Sequence, residues 1–219
     1  MPSAAELAKA HWNRTPLFFP EQQRYRIYPW LYEAAEFRKH RDQRVLEVGC
    51  GTGCDLLQFA KHGAIATGVD ITQRHLELAR QRVGSVAEVI SADGSLLPFP
   101  SGSFDYVYSH GVIHHSDRPQ LIAKEILRVL KPGGRFNVHV YARYSLAALN
   151  YVRRFGRDWK RHVENSLDPV YLDIYTGRDL RRLFPGIKLK LRKYEVPVPF
   201  RVFERWVGWF LVANGHKSS

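Results

Sequence analysis

Cysteine is scarce in this chain: Cys50 and Cys54 are the two present among 219 residues. Two thiols four positions apart, with no partner cluster of ligands, make a poor metal site, so no metal is expected. They read instead as small residues packed beside a cofactor, and their scarcity fits a reducing cytoplasm. Long apolar runs are also missing. Stretches such as Trp206 to Ala213 are too short to span a bilayer, and Met1 to Arg14 lacks an apolar signal segment. Acidic residues are few beside basic ones, 21 against 33, for a formal charge of +12. Up to Ala142 the count is 17 basic and 14 acidic; beyond it, 16 and 7. The excess therefore sits in the last third of the chain. Such a field attracts an anionic substrate, a membrane surface or nucleic acid, or it is simply a solvated basic face. The 45% apolar content suffices for one full core. No internal repeat or low-complexity linker divides the chain.

What is present concentrates at Val45-Leu46-Glu47-Val48-Gly49-Cys50-Gly51-Thr52-Gly53, an apolar run ending in three alternate glycines. A helix-like segment, Asp55 to His62, follows, and a second apolar run, Ala64 to Val69, ends in Asp70. This strand–turn–helix–strand–acid order is how a doubly wound sheet binds a nucleoside. Glycine lets the backbone approach a ligand with no Cβ between them. The helix N-terminus is expected to offer free N–H groups to an anion, and Asp70 to accept from both ribose hydroxyls. A dinucleotide fingerprint would need a third small residue at position 54, where Cys54 stands, so the strict pattern fails.

The segment Glu47 to Gly53 resembles motif I of the class I S-adenosylmethionine-dependent methyltransferases. The pattern continues with Ser91-Ala92-Asp93-Gly94, then Leu97 to Tyr108 entering a fourth strand. Ser109-His110-Gly111-Val112-Ile113-His114-His115 and Lys131-Pro132-Gly133-Gly134 follow. That order, over about residues 40–142, is similar to the small-molecule branch holding the quinone and sterol methyltransferases. The resemblance implies S-adenosylmethionine as cofactor and a doubly wound, seven-stranded, mostly parallel sheet. It also implies a helical lid at residues 1–40, a methyltransferase domain at 41–219 and a basic helical insertion at 143–176. The expected cofactor residues are Glu47, Gly49, Cys50, Gly51, Gly53, Asp70, Ile71, Ala92, Asp93, Gly94, Ser109 and His110. Asp93 matches the acid that accepts from the adenine amino group. His115, ahead of His114, is the candidate base, because it follows the fourth strand and imidazole titrates near neutrality.

Aromatics crowd the lid: Phe18, Phe19, Tyr25, Tyr28, Trp30, Tyr32 and Phe37. Tyr25, Tyr28 and Tyr144 are taken as substrate contacts. Residues 44–140 alternate strands and helices. Arg74 to Val83 packs through Leu76, Leu78 and Ala79, and Arg118 to Leu130 through Leu121, Ile122, Ile126 and Val129. Lys131 to Gly134 stops that helix and Arg135 to Tyr141 is the fifth strand. Ser145 to Arg161 reads as a basic amphipathic helix weakened at Gly156, able to lie on a membrane surface, cover a pocket or dock on its own domain. Asp168-Pro169 marks a turn, Thr176 caps a helix to Phe184, and Ile187 to Val196 is a sixth strand. Pro199 to Val207 reads as a helix and Gly208 to Asn214 as a seventh strand, closing an antiparallel hairpin.

The expected activity is methyl transfer to a small apolar or amphiphilic acceptor. A nucleic-acid methyltransferase is the alternative raised by the charge. Ser109-His110-Gly111-Val112 is not the Asp/Asn-Pro-Pro-aromatic box of base-amine chemistry, and no RNA-binding module is visible. The acceptor atom and the oligomeric state are not legible in the sequence.

Overall fold

The computed structural model describes residues 4–16, 20–163, 171–196 and 203–218. Phe18, Phe19, the Asp168-Pro169 turn and the start of the helix expected from Pro199 lie outside them.

Three helices precede the sheet: α1 (Ala4–Arg14), α2 (Glu21–Ile27) and α3 (Pro29–Ala34). Pro29 sits at the first turn of α3, where its missing N–H costs nothing, so it starts a helix rather than kinking one. The alternating core follows as β1 (Arg44–Val48), α4 (Cys54–Lys61), β2 (Ile65–Asp70), α5 (Gln73–Val83) and β3 (Glu88–Ser91). It continues as β4 (Phe104–His110), α6 (Pro119–Val129) and β5 (Leu130–Tyr141). The remainder comprises α7 (Leu146–Phe155), α8 (Lys160–Val163), α9 (Gly177–Leu183), β6 (Lys190–Tyr194), α10 (Glu204–Val207) and β7 (Phe210–His216).

The sheet has seven strands in the order β3-β2-β1-β4-β5-β7-β6. Its first five run parallel, while β7 is antiparallel to both β5 and β6. Strand order reverses between β1 and β4, so their carboxyl ends, Val48 and His110, flank the crevice where such sheets bind ligands. Helices cover both faces. Ile122, Ala123, Ile126 and Val129 of α6 are buried against Leu46, Val107 and Val138, while Phe59 and Ala79 pack the other face with Tyr106 and Tyr108. Burying one Ile or Phe side chain in this way stabilises by about 1.5–3 kcal/mol.

Some local expectations change. Leu121 is 43% exposed, one position off the buried stripe of α6. On α5 the buried stripe is His75, Leu76, Ala79 and Val83, with Leu78 only half-buried. Lys131 to Gly134 do not merely stop α6: β5 begins at Leu130, which pairs with Phe104, and the ladder shifts register before resuming at Tyr106 and Arg135. The glycine pair is therefore an irregularity inside the strand. Gly133 N and Lys217 N bond reciprocally with Lys217 O and Gly134 O, at 3.0 and 2.9 Å, which fastens it. After β5 the single expected helix divides at Gly156, whose φ of 58° ends α7 and opens a 3-10 turn. Thr176 caps α9 as expected, in a reciprocal capping box with Asp179.

Candidate active site

The carboxyl ends of β1, β2, β4 and β5 open on one cavity of about 490 Å³. Its floor is the glycine turn. Gly49, Gly51 and Gly53 all have positive φ, 73°, 51° and 76°. A Cβ on Gly49 would lie 2.1 Å from Val112 Cγ2, so at that position both space and conformation require glycine. The turn does not keep its amides for a ligand. Gly49 N and Cys50 N donate to Val69 O at 2.8 and 2.9 Å, Gly53 N donates to Cys50 O at 2.9 Å, and Gly51 N donates to Asp70 Oδ2 at 2.9 Å. The strand end and the turn itself take these four amides, ahead of the first turn of α4.

Asp70 is buried at the end of β2. Its second oxygen, Oδ1, accepts from Thr72 N at 2.8 Å, with His75 Nδ1 3.6 Å away. One backbone N–H on each oxygen fixes the carboxylate plane and leaves each oxygen a lone pair for a ribose hydroxyl. Asp93 lines the cavity nearby, with Oδ1 accepting from Ser95 N at 2.8 Å and Oδ2 from Arg118 at 3.2 Å. Glu47 is buried, and its Oε2 has no hydrogen-bond partner among the described residues. Burial, then the charges of Asp55 and Asp70, push its carboxyl well above the ordinary range against the pull of Arg24 and the Leu56 N–H. An unpartnered buried acceptor and a carboxylate with two outward lone pairs fit the ammonium and ribose of S-adenosylmethionine.

Beneath the turn, Asp55 binds Arg24 through both oxygens, and the hydroxyls of Tyr25 and Tyr108 complete its shell at 2.8 and 3.0 Å. Burial works against the Asp55 anion, but the Arg24 charge and its hydrogen bonds outweigh it and hold the carboxyl below its ordinary range.

Of the expected residues, Glu47, Gly49, Cys50, Gly51, Asp70, Ile71, Ala92, Asp93, Gly94, His110, His115 and Tyr28 line the cavity. Gly53, Ser109, His114, Tyr25 and Tyr144 are not among its lining residues. A Cβ on Gly53 would come within 3.2 Å of Ala79 of α5, and Ser109 Oγ donates to Val48 O at 3.0 Å, within the sheet. Tyr25 turns its hydroxyl to Asp55 behind the loop, and Tyr144 is 71% exposed. His114 is fully buried, stacked on Tyr141 at 4.0 Å, with neither ring nitrogen hydrogen bonded among the described residues. Burial drives its pKa well down, so it stays neutral. On His115, Nδ1 lies 3.0 Å from Tyr171 O, which can only accept, so Nδ1 carries the proton and Nε2 keeps the lone pair. His110 shares a 2.8 Å contact with His139 Nδ1, and burial, then the Arg24 charge, lower its pKa to about 3.

Residues that sequence reasoning missed complete the cavity. Trp12 of α1 stands edge-on to His115 at 5.7 Å. Tyr141, Trp209 and Phe210 line the end away from Asp70, joined there by Tyr151 and Glu195. They come from the end of β5, the start of β7, α7 and the β6–β7 connection, and no local motif marks them.

Residues 46–138 match the family model described as a methyltransferase domain. The chain is 28% identical over 158 residues to a sterol 4-C-methyltransferase of Caenorhabditis elegans, covering 70% of this chain and 44% of that protein. It is 37% identical over 122 residues to a demethylmenaquinone methyltransferase of Tropheryma whipplei, covering 55% and 49%. The chain thus spans less than half the length of these curated relatives. A S-adenosylmethionine-dependent methyltransferase from Thermotoga maritima shares the fold, with a TM-score of 0.67 at 22% identity over 96% of this chain and 99% of that one. Residues 46–138 thus form a methyltransferase domain of the class I S-adenosylmethionine-dependent kind, similar to the quinone and sterol methyltransferases.

Proposed function

We propose that this chain transfers a methyl group from S-adenosylmethionine to a small acceptor with an apolar body. The observation that carries this reading is the single cavity in which Asp70, Asp93 and the glycine turn meet an aromatic end built from Tyr28, Tyr141, Trp209 and Phe210. Asp70 would hold the ribose, Asp93 the adenine amino group and Glu47 the ammonium of the methionine end. When bound, S-adenosylmethionine supplies a methyl group on a sulfonium centre, ready for in-line displacement. The chain's own part is to position the acceptor, exclude water and take its proton. His115 suits the last task through Nε2 where the acceptor is a phenol or thiol. The N-terminal helices serve as the lid, since Ala8, Trp12, Arg24 and Tyr28 all line the cavity.

One further proposal concerns the surface. No helix among the described residues is long and apolar enough to cross a membrane. Yet α7 leaves Leu149 and Val152 exposed beside Arg153 and Arg154, which supports contact with an anionic bilayer surface. Co-sedimentation with phosphatidylserine vesicles but not phosphatidylcholine vesicles is the expected result. For the activity itself, calorimetric titration should give binding of S-adenosylmethionine and none of NAD. Turnover should then follow in a panel of amine, phenol, quinol and thiol acceptors; silence across the panel would count against methyl transfer.

A further inference from the structure

The charge of the cavity runs opposite to that of the chain. Lys and Arg outnumber Asp and Glu by 33 to 21 overall, yet among the described residues Arg24 is the single Lys or Arg lining the cavity, against Glu47, Asp55, Asp70, Asp93 and Glu195. Four of those acids are accounted for. Asp55 is neutralised by Arg24, while Asp70, Asp93 and Glu47 face the parts of the cofactor named above. Glu195 is left over.

We propose that Glu195 is the recognition group for the acceptor, and that the acceptor carries a protonated amine beside its apolar body. This rests on the methyltransferase reading and deepens it.

The acid is placed by the backbone around it. Glu195 has a φ of 69°, a left-handed conformation that a residue with a Cβ seldom adopts. It is held there from both sides, its N–H donating to Glu204 Oε1 at 2.8 Å and its carbonyl accepting from Trp209 N at 2.9 Å. Non-glycine residues in such conformations persist where the surroundings over-determine them, often at binding sites. Glu195 lines the cavity, and its Oε2 is buried with no hydrogen-bond partner among the described residues. The Trp30 indole N–H lies close by but outside hydrogen-bonding geometry. Burial raises the carboxyl to about 7, with Trp30 opposing and Glu204 adding to the rise. A buried acceptor of this kind lacks a donor, and an ammonium supplies both the donor and the opposite charge.

Its neighbours are the right ones for a cation. Trp209, bonded to the Glu195 carbonyl, is stacked on Tyr141 at 4.3 Å. Phe210 lies 5.1 Å from Tyr141, and Tyr28 6.5 Å from Phe210. Aromatic rings and a carboxylate lining one cavity form an environment that holds alkylammonium groups, by attraction of the cation to the ring faces together with ion pairing. A neutral quinol or sterol would leave the buried carboxylate unanswered, at a cost in affinity.

The test uses the full chain loaded with S-adenosylhomocysteine, titrated calorimetrically with tryptamine and phenethylamine and with their neutral counterparts tryptophol and 2-phenylethanol. The amines should bind at least about tenfold more tightly. Glu195→Gln, which keeps size and shape, should erase that preference while leaving the S-adenosylhomocysteine affinity unchanged. Turnover with S-adenosylmethionine should favour amine acceptors in the wild type and lose that preference in the variant. Equal binding of amines and alcohols, or an amine preference that survives Glu195→Gln, would overturn the proposal. So would turnover confined to phenols, quinols or thiols, which would leave the methyltransferase reading standing. Absence of S-adenosylhomocysteine binding would instead defeat the reading beneath it.

Discussion

Arg24 Nε and Nη2 donate to the two carboxylate oxygens of Asp55 at 2.9 and 2.8 Å, a two-point ion pair between α2 and the first turn of α4. The side chains are 14% and 2% exposed, so neither charge is left to water. The pair ties the segment above the cavity to the helix that follows the glycine turn.

Removing one partner strands the other charge. Arg24→Met should destabilise the fold by about 3–5 kcal/mol in urea denaturation, and the double change Arg24→Met with Asp55→Leu should cost less than either single change. Additive single effects would contradict this.

The same pair sets a pH dependence. The folded Asp55 carboxyl lies below its unfolded value of about 3.9. Its contribution is therefore fully present above that value and is lost as pH falls through the folded one. The stability gap between wild type and Asp55→Asn should be constant above about pH 5 and shrink below about pH 4. Denaturation curves at pH 3 to 7 check it; a gap that stays constant to pH 3 would be inconsistent.

Asp70→Ala should raise the S-adenosylhomocysteine dissociation constant by about ten- to a hundredfold. Two hydroxyl bonds to a charged acceptor are lost, and Gly51 N and Thr72 N lose theirs. Unchanged affinity by calorimetry would remove the ribose role from this residue.

Gly49→Ala meets two obstacles, the Val112 side chain and a φ of 73°. Cofactor affinity should fall sharply, and adding Val112→Ala should restore it only in part, because the second change relieves the clash but not the conformation. Full restoration would show that space alone matters.

The neighbouring histidines should separate. With a phenol acceptor, His115→Gln should lower kcat by about 10²–10⁴ while leaving cofactor affinity alone. His114→Phe keeps the stacking on Tyr141 and introduces no unpaired nitrogen, so kcat should stay within about threefold. The reverse ranking would reassign the base.

What could be read from sequence follows the range of the interactions. Gly49, Gly51 and Asp70 were legible because turn, helix and acid act within one local unit, whose spacing is itself the geometry. The alternation of strands and helices gave the sheet for the same reason. Tyr25 and Tyr28 could not be told apart, since three residues on a short helix decide whether a ring meets Asp55 behind the loop or the cavity in front of it. Glu195, Trp209 and Phe210 carry no local signature. They reach the cavity because β7 folds back antiparallel on β5, a pairing across about seventy residues that no spacing rule encodes.

The amides of the glycine turn carry a consequence for ligand choice. With Gly49, Cys50, Gly51 and Gly53 all donating inward, a diphosphate arriving there would find Cα–H surface in place of donors. A ligand whose link between sugar and tail is a sulfonium asks for no such donors. At Gly49, Cys50 and Gly53 this disposition is set by main-chain acceptors alone, whereas at Gly51 it depends on the Asp70 carboxylate, so replacing that side chain would return one donor to the turn.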